Sequence, residues 1–442
     1  MKIEVIVKMF FSLLVIILFS LKINSIEIET GSLQTESLYE PLAIDVNNPI
    51  LSWRLENPQG IRGIDQVARQ IRAANSENDL MSNPLWDTGK VLSDSTKIPW
   101  NGPILTSRER ICWQVRVWDN DGNISKWSSI ASFEMGLINW NLSSWIENSD
   151  YVTGNNSLPY FVKRFEISHE LSSARLWIIG LGQFIATVNG KSIGKDVLNP
   201  GYSDWNKTLE YSTYNITSFL NDQENVLGIA LGKGIYRAEL PLGGRYYKFL
   251  TALHPMKLIA QLQLNYTDGT SELIVSDSTW LTTTTGPLLE SSWYGGEEYD
   301  ARQELINWDT PTFNHSTWKQ VDMSTIPNPN AIYRARESPP IEIVEEMSAV
   351  SISNPRTGTY VVDFGINHAG WPQITMNGYR GLIVTMRPAE LLQSDGTINQ
   401  NTEGTPIFDR YTFATNNTET YIPSFRYFHI DFFFKIFLNS FK

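Results

Sequence analysis

Residues 175–240 read RLWIIGLGQFIATVNGKSIGKDVLNPGYSDWNKTLEYSTYNITSFLNDQENVLGIALGKGIYRAEL, and this stretch decides the fold class. Alternation of apolar and polar residues, taken through Leu176-Trp177-Ile178-Ile179 and again through Phe184-Ile185-Ala186-Thr187-Val188, is the period of strands whose two faces see different surroundings. Asn189-Gly190 follows directly. That pair tolerates the positive φ of a two-residue hairpin turn, so Lys191 to Ile193 is expected to return antiparallel. Pro200-Gly201 marks another turn, and Asn225 to Gly232 reads as a buried strand entered from the polar corner Asn221-Asp222-Gln223-Glu224.

Outward from that stretch the same punctuation continues. Between Ile26 and about Gly136, strand-like runs such as Gln66 to Ala73 and Cys112 to Trp118 are separated by Asn57-Pro58, Asn83-Pro84, Asp94-Ser95 and Asp119-Asn120-Asp121-Gly122. Alternation places Trp113, Val115 and Val117 in a core. Cys112 is the single cysteine, which excludes an intrachain disulfide, and its flanks Ile111 and Trp113 suggest an inert buried thiol. Asn139 to Tyr160 is the expected linker. Beyond the opening stretch, Met256 to Tyr266 and Thr270 to Val275 are expected to pair through Thr267-Asp268-Gly269. Pro327-Asn328-Pro329-Asn330 marks a second boundary, and a third sandwich is expected from Pro339-Pro340. The expected class is all-β, built of tandem sandwiches.

Composition limits the partners. The chain has 442 residues, 42% hydrophobic and 19% charged, which describes a folded protein, and a net charge of -12 argues against a nucleic-acid partner. Lys2 and Lys8 precede the apolar run Met9 to Leu21, with small Ser25 after it, the pattern of a cleaved secretory signal over 1–25. The run is shorter than the roughly 20 residues of a membrane span, so no span is expected after cleavage and the protein is expected to be secreted. Asn-x-Ser/Thr triplets at Asn123, Asn141, Asn155, Asn206, Asn215, Asn265, Asn314 and Asn416 fit that route as glycan acceptors. His169, His254, His315, His368 and His429 stand apart, so no zinc spacing is present. Gly180-Leu181-Gly182 echoes a nucleotide loop but lacks its further glycine and helix, and reads better as turn glycines.

The phrases GLGQ, VNGKSIG, LNPGYSDW, YSTYNIT and GIALGKGIY together resemble the amino-terminal β-sandwich of α-L-rhamnosidases, family seventy-eight of the glycoside hydrolases. NPILSW, WDTGKV, CWQVRVWDNDG and SFEMGL are similar to the fibronectin-like module that opens many members. Trp293 to Arg302, Tyr360 to Trp371, Arg387 to Leu391 and Asp409 to Thr412 resemble later phrases of the same family. Ile235 stands where the family usually has Trp, and Ile366 where it has Gln. The resemblance implies a fibronectin type III-like sandwich over 26–137, a jelly-roll over 160–325 and a partial concanavalin-like module over 337–428. Residues 429–442, crowded with Phe and Lys, show neither strand alternation nor a turn residue and are read as an aberrant tail. The implied parent activity is inverting removal of terminal α-L-rhamnose from a glycoside or polysaccharide. Its two catalytic carboxyl groups would lie on an (α/α)6 barrel that no run of paired amphipathic helices here builds. The expectation is therefore a region inactive alone, with no catalytic residue of its own, or alternatively a non-catalytic carbohydrate-binding or surface-interaction protein.

Local chemistry is sparse. Glu297, Glu298 and Asp300 form the densest acidic group, read either as a tuned acid pair or as a surface loop in which Asp300 or Glu298 binds Arg302 or backbone amides; the second reading is preferred. Asp363 and Glu390 are read as a turn cap beside Gly365 and a solvated or ion-paired strand residue. Trp177, Tyr202, Trp205, Tyr211, Tyr214 and Tyr236 gather in the opening stretch, where rings serve a core or stack on a pyranose. Tyr202 and Trp205, with Asp204 in the same turn, are the expected sugar contacts. Some family members bind rhamnose through calcium in such a module, but Val188 precedes Asn189 where an acid would be wanted, so no calcium ligand or other cofactor is assigned.

Overall fold

The structure, a computed structural model, describes residues 26–442 apart from 59, 61, 252–253, 327, 403, 426–427, 431–432 and 439–442, and only the backbone of 428–430 and 433–438. The expected signal segment and Pro327 of the second boundary lie outside the described residues. Strands make up 42% and helices 3%, so the chain is all-β as expected. It divides into two compact units at Ile138/Asn139.

In the first unit Gln66–Ala74 pairs antiparallel with Arg110–Asp119, Ile71 opposite Val115, and Ala131–Glu134 extends the sheet on the other side. A three-stranded sheet, Gln34–Thr35, Ile50–Ser52 and Lys97–Pro99, belongs to the same unit. Trp113, Val115 and Val117 are fully buried in one cluster with Trp53, Trp100 and Phe133. The opposite face is covered too, since Cys112 is buried with Ala74 and Leu80, and burial pushes its thiol pKa up. Asp119 closes the turn read at 119–122 by accepting from the backbone N–H of Asp121 and Asn123, at 3.1 and 2.8 Å.

The second unit carries the opening stretch. Leu171–Leu181 lies in a seven-stranded sheet between Lys257–Tyr266 and Thr208–Asn215, whereas Gln183–Val188 lies in a six-stranded sheet beside Glu224–Gly232. Gly182 alone separates them, at φ +116°, and a Cβ there would meet the Gly232 carbonyl at 2.5 Å. This glycine lets the chain leave one sheet and enter the other. Leu176 to Ile179 is buried at every position rather than alternately, because both faces of that strand are covered. Asn189 and Gly190 take φ of 52° and 80°, and Lys191–Ser192 returns antiparallel as expected. Phe161, Leu176, Ile178, Leu231, Leu258 and Trp280 are nearly inaccessible in the core cluster between these elements. Each such side chain contributes about 1.5–3 kcal/mol of transfer free energy.

Three strand pairings were not visible in the sequence. The expected linker 139–160 contributes a strand, Trp145–Glu147, paired with both Lys257–Tyr266 and Asp322–Ser324, because Trp145 and Ile146 are apolar enough to be buried. Leu288–Ser292 and Gly296–Asp300, which the sequence reading places in the second module, pair into a seven-stranded sheet with segments from later in the chain. That sheet runs Leu288–Ser292, Gly296–Asp300, Asp409–Thr412, Ile383–Ala389, Phe433–Leu438, Thr359–Asp363, Ser351–Arg356. Gly296–Asp300 meets Asp409–Thr412 in parallel, a long-range pairing with no local signature. Finally, the backbone of Phe433–Leu438 is a strand between Ile383–Ala389 and Thr359–Asp363, although residues 429–442 show no alternation. Alternation marks half-exposed strands, and a strand inside a sheet need not show it.

Candidate functional site

A cleft lies at the end of the opening stretch where the chain changes sheets. It holds about 220 Å³ and is walled by Ile179 to Gln183, the turn Pro200 to Ser203 with Trp205, and Gly234 to Tyr236. Leu198, Leu209, Glu210, Trp293 and Ile341 complete it. The turn is held from below. Asn199 Nδ2 shares its two N–H donors among Asp196 Oδ2, Ser212 Oγ and Tyr214 Oη, at 2.7, 2.6 and 2.7 Å, and the Phe184 N–H donates to the Asn199 carbonyl at 2.7 Å. Arg336 pairs with Asp196 at 2.9 Å, and the Val197 N–H donates to the Ile341 carbonyl at 2.9 Å, so the segment after Pro339-Pro340 forms one side of the cleft.

Of the six aromatic residues gathered in this stretch, Trp177, Tyr211, Tyr214 and Tyr236 are buried, Trp205 is half-buried and Tyr202 is 72% exposed. Tyr202 and Trp205 stand edge to face at 6.1 Å and 90°, and Trp205 in turn meets Tyr236 at 5.3 Å and 77°. Both of the rings read from sequence as sugar contacts therefore line the cleft. Asp204 does not. It accepts from the Asn206 N–H at 3.2 Å and pairs with exposed Lys207 at 3.2 Å, so it closes the turn on the solvent side. Two cleft residues, Gln183 and Glu210, escaped the sequence reading. Gln183 and Tyr236 each place a buried, unpartnered oxygen (Oε1 and Oη) in the wall residues. Glu210 is a half-buried carboxylate whose pKa is raised by burial and then by Glu337, against a lowering by Arg336. Its only sequence signal is its place between buried Leu209 and Tyr211 on an alternating strand.

The densest acidic group is elsewhere and closed. Glu297 is fully buried within the Gly296–Asp300 strand, not on a surface loop. Its carboxylate accepts from the backbone N–H of Ser424 at 2.9 Å, from the N–H of Phe425, and from the Tyr421 hydroxyl at 3.1 Å. Its own N–H donates to Asp409 Oδ1 at 2.8 Å. Burial, followed by the Asp409 charge, pushes the Glu297 pKa up to about 7 despite those donors. Glu298 binds Arg245 at 2.6 Å and Arg410 at 3.2 Å, while Asp300 takes the Arg302 guanidinium at 2.8 and 2.7 Å and the Arg302 N–H at 3.1 Å. Phe425 packs into the core of the opening stretch, against Gly232. This group is a structural clamp. Asp363 caps the turn at Gly365, whose N–H it accepts at 2.7 Å, and Glu390 is half-buried just after the Ile383–Ala389 strand.

At the Asn189 turn, Asn189 Nδ2 donates to the Phe219 carbonyl and to Asn225 Oδ1, and its Oδ1 accepts from the Val226 N–H. Among the described residues no group of three or more His, Cys, Asp or Glu stands close enough to hold a metal ion. The glycosylation triplets differ in access. Asn141, Asn155, Asn206, Asn215, Asn314 and Asn416 are exposed, whereas Asn123 Nδ2 donates to Asp119 and Asn265 Nδ2 to Ser173. Among the described residues no helix is long and apolar enough to cross a membrane.

Taken together, the fold is that of a tandem β-sandwich region carrying an immunoglobulin-like and a concanavalin-like domain. Residues 169–345 match the profile of the alpha-L-rhamnosidase N-terminal domain. Residues 30–139 match the Rha78A-like N-terminal immunoglobulin domain, and residues 353–433 the bacterial alpha-L-rhamnosidase concanavalin-like domain. The chain belongs to the α-L-rhamnosidase family and covers its amino-terminal part. It is 30% identical over 409 residues to an alpha-L-rhamnosidase of Alteromonas sp. (strain LOR), covering 89% of this chain and 43% of that protein. The solved alpha-L-rhamnosidase of Dictyoglumus thermophilum is 32% identical with a TM-score of 0.82, over 93% of this chain and 48% of its own. The Streptomyces avermitilis alpha-L-rhamnosidase, solved in complex with L-rhamnose, shares the fold at 23% identity and a TM-score of 0.81, over 94% and 56%. The chain thus spans about half the length of the curated relatives it matches.

Proposed function

We propose that this chain is the amino-terminal region of a secreted, inverting α-L-rhamnosidase acting on rhamnose-bearing glycosides or polysaccharides, and that it does not hydrolyse them by itself. The observation that carries the reading is the ordered match of all three β domains to this family. Inactivity alone is supported by the carboxylates. Glycosidic hydrolysis needs two of them flanking the bond, about 5–9.5 Å apart, and Glu210 is the one carboxylate lining the cleft. Glu297 and Asp409, two buried acids of the clamp, are inaccessible at 0% exposure. In this reading the sandwiches support and orient a helical catalytic partner. The test is incubation of the purified chain with an aryl α-L-rhamnoside. No release above the buffer blank is expected, and turnover that co-purifies with the chain and follows substitution of its own carboxylates overturns the reading. Secretion is checked separately, by expressing the chain with its own residues 1–25 and sequencing the amino terminus of exported protein, expected at Ile26.

A second reading, carbohydrate binding without catalysis, is favoured by one observation: Tyr202 and Trp205 present rings at an open cleft rather than to the core.

A further inference from the structure

We propose that the Tyr202–Trp205 cleft is a metal-independent subsite for one neutral sugar ring. In it the Glu210 carboxylate accepts hydrogen bonds from two neighbouring hydroxyls, while the Trp205 and Tyr202 rings meet the apolar face of the pyranose.

The size of the cleft selects a single ring. Its volume of about 220 Å³ is below the roughly 300–1,000 Å³ of sites for drug-sized ligands. The lining is mainly aliphatic and aromatic, with Ile179, Leu181, Leu198 and Leu209 beside Trp205. Such a lining favours a ligand with one apolar face and edge. Charge narrows the class further. Glu210 is the one charged residue in the lining, and Arg336, whose charge reaches it from outside the lining, is paired with Asp196, so the carboxylate repels a uronate, sulfate or phosphate and no cation in the lining meets one.

Glu210 is also available. Among the described residues its carboxylate is held by no hydrogen bond or ion pair, whereas nearby Asp196 is committed to Asn199, Tyr214 and Arg336. A half-buried acceptor without a partner gains most from a charge-assisted hydrogen bond, and a vicinal diol supplies two donors at the spacing of the two carboxylate oxygens. A quaternary ammonium ion also seeks aromatic faces beside a carboxylate. With Tyr236 4% exposed behind Trp205, three accessible rings, Tyr202, Trp205 and Trp293, line the cleft, so choline is the competing ligand that the titration has to exclude.

The inference rests on the family reading only for the choice of sugar. The experiment is calorimetric titration of the purified full chain, in EDTA, with L-rhamnose, a panel of other neutral hexoses, D-glucuronate and choline. L-Rhamnose is expected to bind, with D-glucuronate weaker by about tenfold or more, and affinity is expected to fall by about tenfold or more in Glu210→Gln and Trp205→Ala. Tyr202→Ala, at a position already exposed, is a second variant that keeps the fold, and circular dichroism checks all three. Preference for another neutral hexose, with the same dependence on Glu210, supports the subsite and sinks only rhamnose as its ligand. Absence of binding by every sugar, affinity unchanged in the variants, loss of binding in EDTA, or tighter binding of choline each overturns it. None of these outcomes bears on rhamnoside hydrolysis, which tests the family reading independently.

Discussion

The acidic strand at 296–300 and the aromatic turn at 200–205 are equally rich in chemistry-bearing residues, and the fold gives them opposite fates. The strand is drawn into a parallel pairing with Asp409–Thr412, so Glu297 becomes fully buried and its lone pairs are consumed by the backbone of Ser424 and Phe425. The turn is propped outward by Asn199, so Tyr202 and Trp205 keep open surface. Density of functional residue types therefore marks where polar side chains have work to do, and accessibility decides whether that work is cohesion or recognition.

The contrast breaks most visibly at Glu297. Glu297→Ala is expected to cost on the order of 4 kcal/mol, because two backbone donors lose a buried acceptor. Chemical denaturation of the second unit checks this, and a loss under about 1 kcal/mol would return Glu297 to the ordinary surface acids. The pH dependence is next in size. The folded pKa is raised to about 7, so the folded state binds the proton more tightly than the unfolded chain. The contribution is fully present below the unfolded value near 4.5 and is lost as pH rises through about 7, a change on the order of 3 kcal/mol. Glu239, Asp300 and Asp322 have lowered pKa values and contribute the opposite slope at more acid pH. The difference between the wild-type chain and Glu297→Gln between pH 4.5 and 7 isolates the effect; parallel stability curves would refute it.

Gly182→Ala tests the other end of the comparison, the sheet change beside the cleft. The positive φ and the Gly232 carbonyl at 2.5 Å predict a loss of about 2 kcal/mol, read as a lowered denaturation midpoint. At the turn itself Asp204→Ala is expected to change stability by less than about 0.5 kcal/mol, since its ion pair with Lys207 is exposed. The same variant is expected to leave sugar affinity unchanged, which separates Asp204 from the rings on either side. Mass spectrometry of chain secreted from a glycosylating host is expected to find glycan on the six exposed acceptors in preference to Asn123 and Asn265, whose amides are engaged.

Much of this architecture was legible before any coordinates. The Asn189-Gly190 turn, the Thr267-Asp268-Gly269 hairpin and the core positions Trp113, Val115 and Val117 follow from turn chemistry and side-chain period, which act over a few residues. The order of family phrases likewise pointed to the α-L-rhamnosidase family. What the chain could not disclose by itself is which distant segments become neighbours. Leu288–Ser292 and Gly296–Asp300 join a seven-stranded sheet with segments from later in the chain, Trp145–Glu147 leaves the expected linker for a sheet, and Glu210 comes to face the same cleft as Trp205. Each of these rests on pairing between residues far apart in sequence. Local propensity carries no record of that pairing, because the free energy favouring it arises only when both surfaces are desolvated together.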